Sequence, residues 1–105
     1  MASLRTKSER AAKLATPAQR TIDPMTDLRR IPGVGKSIAQ DLINIGILSV
    51  ESLRQESPEE LYKQSNDFVG ATQDRCLLYV FRTAVYFATQ TRHDPEKLKW
   101  WNWKD

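Results

Sequence analysis

Apolar positions fall in helical register along most of the chain and are nearly absent from its start. Residues 1–24 mix Ser, Thr, Lys, Arg and Ala with almost no large apolar side chain. Such a stretch buries too little surface to offset the entropy of ordering, so it is expected to be a disordered basic tail, with room for a short helix around Ser8–Leu14. The pattern changes after Asp23-Pro24. Thr26 or Asp27 is expected to cap a short helix holding Leu28. From Lys36 onward, Ile38, Leu42 and Ile45 recur at helical spacing, with Ala39, Ile43 and Gly46 also small or apolar. Gly46 is a natural stop for that helix. Ser49 then opens a new turn with Val50 and Leu53 facing inward. Ser57-Pro58-Glu59-Glu60 reads as a capping box with Pro at the first helical position. Leu61 and Tyr62 lie on the buried side of the helix it starts, and Gly70 ends it. The longest helix is expected from near Gln73 to near Thr91. Its apolar residues, Cys76 to Ala88, cover more than one face, so it should be the central helix with the earlier helices packed on it. Any face it leaves open would suit a homodimer. Asp94-Pro95-Glu96 starts a last short helix. The expected fold is therefore all-α: a compact bundle of about five short helices around one long helix, forming one domain over residues 25–105.

Within this pattern one stretch stands out. Ile31-Pro32-Gly33-Val34-Gly35 runs directly into the helix that starts at Lys36. Pro32 fixes the turn, and Gly33 and Gly35 are free to take backbone angles closed to other residues. The unpaired N–H groups at such a helix start point outward and carry the positive end of the helix dipole, which suits an anion. Three readings compete. Gly35-Lys36-Ser37 looks like the end of a P-loop, but that loop needs a glycine where Arg30 stands and a buried strand where Thr26–Arg30 is charged. The dinucleotide fingerprint fails as well, since its third glycine falls at Ile38. The glycines can simply join two helices. The third reading is a grip on the phosphates of one nucleic-acid strand.

The stretch resembles the helix-hairpin-helix motif: Ile31, then Pro32-Gly33-Val34-Gly35, three variable residues, Ala39, and Leu42. The resemblance implies that the amides of Gly33, Gly35 and Ser37 hold a phosphate, with Val34 buried between the helices and Ala39 letting them approach. It also implies a monovalent cation at the carbonyls of Arg29, Ile31 and Val34. Over about residues 26–103 the chain resembles the bacterial pathogenicity locus family of small helix-hairpin-helix proteins. The segments that carry this likeness are Leu28–Gly35, Gly46–Leu53, Pro58–Tyr62, Asp74-Arg75-Cys76, Val80–Tyr86 and the closing tryptophans. Arg75 stands where that family often has Pro, which weakens the expected helix start there. The first half is also similar to the C-terminal domain of the competence regulator TfoX.

Composition qualifies the nucleic-acid reading. The chain has 105 residues, a formal charge of +3 and a pI near 9.2. A basic protein invites a polyanionic partner. The first 24 residues, however, hold five basic residues against two acidic ones, and the rest balances eleven against eleven. The excess lies in the tail, which could track a nucleic-acid backbone. One cysteine excludes an intrachain disulfide and fits a reducing cytosol, so a cytoplasmic location is expected. No apolar run is long enough for a membrane, and residues 1–25 lack the apolar core of a secretory signal.

No catalytic set emerges, so a non-enzyme with no cofactor and no small-molecule substrate is expected. His93 is read as a surface residue in a loop. Cys76 is read as an inert small hydrophobe, although its place at a helix start could lower its thiol pKa. One Cys and one His cannot make the usual zinc set. Arg82, inside the apolar stripe, needs a carboxylate such as Asp41, Glu60 or Asp74, or must snorkel. Trp100, Trp101 and Trp103 can stack bases or close the small core. Two functions follow. The first is a sequence-independent DNA-binding module, with RNA as the variant, built on Gly33, Val34, Gly35, Lys36 and Ser37 with Arg29 and Arg30 adding contacts. The second is a protein-interaction or scaffold module in which the hairpin is structural. A lone hairpin and a neutral globular part favour the second, while the motif favours the first.

Overall fold

The computed structural model describes residues 23–105, so the basic tail expected over residues 1–24 falls almost wholly outside the described residues. Four α-helices and three short 3-10 turns make up the fold, with no strand among the described residues. The helices are α1 (Pro24–Leu28), α2 (Lys36–Asn44), α3 (Pro58–Val69) and α4 (Arg75–Thr89). The 3-10 turns are Glu51–Leu53, Pro95–Leu98 and Trp100–Trp103. Two of the expected short helices, those after Ser49 and after Asp94, are therefore single turns, and a third turn, Trp100–Trp103, was not expected. After the first of them Gln55 adopts φ 69°, a left-handed conformation that ends any helical continuation toward Ser57.

The helix ends follow local chemistry. Asp23, rather than Thr26 or Asp27, caps α1: its carboxylate accepts from the Thr26 amide at 3.2 Å, and Pro24 takes the first helical position. The Gly46 N–H donates to the Ile43 carbonyl and the Ile47 N–H to the Leu42 carbonyl, both at 2.9 Å, which closes α2 as a Schellman motif on Gly46. Ser57 accepts from the Glu60 amide and Asp74 from the Cys76 amide, so α4 starts sharply in spite of Arg75. That cap sets its beginning at Arg75 rather than Gln73, and extended backbone at Gln90 stops it two residues before Thr91.

The core holds Leu28, Ile31, Val34, Ala39, Leu42, Ile47, Leu53, Leu61, Val80 and Phe81, all buried. The longest helix is α4. It packs on α3, on the Glu51–Leu53 turn and on both C-terminal turns. The pair α1 and α2 leans mainly on itself and on α3 instead of lying along α4. Asp27 fastens α1 to the next segment. Its buried carboxylate accepts from the Val50 amide at 2.7 Å and from Arg30 Nη1 at 2.7 Å. A buried amide left without that acceptor would cost about 1–3 kcal/mol.

Candidate nucleic-acid interface

The segment between α1 and α2 is built by one tight turn. The Val34 N–H donates to the Ile31 carbonyl at 3.0 Å, with Pro32 and Gly33 between them and Gly33 at φ +88°. Pro second and a left-handed glycine third is the arrangement of a type II turn. Gly35 differs from the expectation: it caps α2 at φ −94° and ψ −166°, extended backbone open to any residue. A Cβ at Gly33 would lie 3.3 Å from Trp100 Cδ1, whereas one at Gly35 would meet nothing within 4 Å.

This turn separates apolar from polar groups. Leu28, Ile31, Val34 and Ala39 point into the core and are at most 5% exposed. Gly33, Gly35, Lys36, Ser37, Arg29 and Arg30 are exposed. Among the described residues the amides of Gly33, Gly35, Lys36 and Ser37 make no backbone hydrogen bond. Lys36 and Arg29 have no ion-pair partner there either, while Arg30 is tied to Asp27. Of the three carbonyls considered for a cation, Ile31 already accepts the Val34 amide, and no amide among the described residues donates to Arg29 or Val34.

The C-terminal residues take other roles. Trp100 is half-buried and lies against the turn at Gly33 and against Val80. Trp103 packs on Tyr86 with ring centroids 5.7 Å apart, and its indole N–H donates to the Lys97 carbonyl. Trp101 is 51% exposed. Arg82 finds none of the three carboxylates considered for it. It pairs with Glu59 at 3.2 Å and Asp105 at 2.9 Å and donates to the Trp103 carbonyl. Arg75 holds the same Asp105, and the two guanidiniums keep that carboxyl below its ordinary range, Arg75 acting most strongly. His93 is no plain surface residue: it stacks on Phe87 at 4.6 Å and its Nε2 donates to the Phe87 carbonyl.

Cys76 is exposed rather than buried, as are its neighbours Asp74 and Arg75 at the start of α4. The thiol is pushed up, chiefly by its hydrogen bond to the Asp74 carboxylate. The helix start does not activate it. An open cavity of about 340 Å³ lies beside the turn, lined by Gly33, Ile38, Asp41, Leu77, Val80 and Trp100 among others. Asp41 is half-buried, and its carboxylate has no hydrogen-bond or ion-pair partner among the described residues. Burial pushes it up. The sequence suggests Asp41 only as a partner for Arg82; no periodicity reveals a cavity made by α2, α4 and the C-terminal segment. No group of three or more His, Cys, Asp or Glu among the described residues is arranged to hold a metal, and no helix there is long and apolar enough to cross a membrane.

Comparison with known proteins places the chain. No solved structure matches it. A curated relative, the mitomycin resistance protein McrB of Streptomyces lavendulae, is 33% identical over 78 residues, which cover 74% of this chain and 70% of the relative. Residues 21–105 match the family described as pathogenicity locus. That match spans every described helix and the turn at Gly33, and the chain belongs to the pathogenicity locus family.

Proposed function

We propose that this chain is a sequence-independent nucleic-acid binding module that grips backbone phosphate through a helix-hairpin-helix formed by α1, the turn and α2. One observation carries the reading. Among the described residues, amides at Gly33, Gly35 and Ser37 that make no backbone hydrogen bond sit on an exposed corner beside Lys36 and Arg29, which form no ion pair there, while the apolar residues of the same turn are buried. Amides at a helix N-terminus bind phosphate oxygens through hydrogen bonds and the helix dipole, and neighbouring cations add attraction. A contact of this kind reads no base edge, so it is independent of sequence. The carbonyls of Arg29 and Val34 would supply ligands for a monovalent cation at the same corner, with Ile31 sharing its carbonyl. The module acts by binding, without a catalytic step or small-molecule substrate, in the cytoplasm. A second reading, a protein-interaction module, is favoured by the balanced charge outside the first 24 residues.

Fluorescence anisotropy with a short labelled DNA strand or duplex separates the two. Binding through two or three phosphates predicts a slope of log K against log salt of about −2 to −3. Gly35→Glu places a carboxylate at the open corner without disturbing packing, since nothing lies within 4 Å of its Cβ. The folded variant is expected to lose the salt-sensitive binding. Unchanged binding by the variant, or none by the wild type at about 50 mM salt, overturns the proposal.

A further inference from the structure

We propose that the cavity beside Gly33 receives one unpaired guanine base of a single strand, stacked on Trp100 and hydrogen-bonded by the Asp41 carboxylate. This rests on the backbone-binding reading above and adds to it the strand type and the base. Three observations converge. Gly33 belongs both to the phosphate-facing turn and to the cavity wall, so a strand held at the turn passes the cavity mouth. The wall is apolar and aromatic, with Trp100, Ile38, Leu77 and Val80, which suits the face of a base. Asp41 lies four residues after Ser37 on α2, on the same helix face and about 6 Å along the axis. One nucleotide can therefore reach both groups.

The chemistry of Asp41 chooses the occupant. An ionised carboxylate only accepts hydrogen bonds, and this one is partly desolvated with no hydrogen-bond donor paired to it among the described residues. It repels phosphate, so the backbone stays at the amides and Lys36 while the base enters the cavity. The Watson–Crick edge of guanine places two N–H donors side by side, at N1 and N2, matching two carboxylate oxygens. Adenine and cytosine offer an amino group next to an acceptor nitrogen, and thymine one imino N–H between two carbonyls. The other carboxylate at the cavity, Asp74, is occupied by the Cys76 amide and thiol. Only an unpaired base exposes this edge, so a duplex is excluded.

The test is anisotropy with oligothymidine strands carrying guanine, inosine or an abasic site at one central position, and with the guanine strand in duplex form. Inosine lacks only the N2 amine. The guanine strand is expected to bind about tenfold tighter than the abasic one, with inosine between them and no such gain in the duplex. Asp41→Asn is isosteric and is expected to keep the fold, since Asp41 has no hydrogen-bond or ion-pair partner among the described residues. It should abolish the preference for guanine over inosine while binding the abasic strand no more weakly. Equal, salt-sensitive affinity for all three strands overturns the base site and leaves the backbone reading standing. A guanine preference that survives in Asp41→Asn also overturns it. No salt-sensitive binding to any strand removes both.

Discussion

The corner at Gly33 and the chain's end at Asp94–Asp105 meet at Trp100, and they are held by opposite means. At the corner Leu28, Ile31, Val34, Ala39 and Leu42 are buried, while the polar groups face outward. In the C-terminal segment neither 3-10 turn buries a residue fully. Its polar groups are instead consumed internally, with Arg75 and Arg82 on Asp105, Trp103 on Lys97, and Asn102 on the Glu96 carbonyl. A region stabilised by apolar burial can leave its hydrogen-bonding groups available to a ligand. A region stabilised by exposed ion pairs has none to spare, and it opens more easily than the core.

The most severe way to break this contrast is Leu42→Ala. It removes a fully buried side chain from the corner and should cost about 2–5 kcal/mol, read as a drop in the urea midpoint that takes the whole domain with it. A loss confined to the corner would show that the two regions unfold separately. A smaller effect separates the two glycines. Gly33→Ala forces a left-handed alanine against Trp100 and should cost about 1–2 kcal/mol, whereas Gly35→Ala should be near neutral. Equal costs would mean that the turn is not built as described.

Acidification gives the smallest expected change in global stability and the clearest view of the C-terminal segment. Asp105 has its pKa depressed by Arg75 and Arg82, so the ion pair is fully present above the ordinary carboxylate pKa. It is lost as pH falls through the lower folded value. Tryptophan fluorescence should shift in that acid window before far-UV helicity falls, and added salt should reduce the shift. Simultaneous loss of both signals would show that the segment is part of the cooperative core.

How much of this was legible in the sequence depended on distance along the chain. The all-helical fold, the Ser57 and Asp74 caps and the Gly46 stop all act within a few residues and were readable as spacing. The corner was legible for the same reason, since the Ile31–Val34 turn and the start of α2 are contiguous. Asp27 reads as a cap in sequence because its partner, the Val50 amide, lies 23 residues away. The carboxylates of Arg82 are not legible because Glu59 and Asp105 reach it from opposite directions along the chain. His93 does lie in a loop, but it reads as a plain surface residue in sequence because the return of the chain onto Phe87 leaves no periodic mark.

The sequence by itself determined that the chain is helical, where Ser57, Gly46 and Gly70 start or stop its helices, and that a glycine corner leads into α2. Those outcomes follow from backbone sterics and hydrogen bonds within one or two turns. Only the tertiary structure decided that Trp100 seats against Gly33, that Cys76 faces solvent, and that Asp41 lines a cavity with no partner among the described residues. These depend on where distant segments come to rest, which is set by the best joint burial of the apolar faces and not by any local rule.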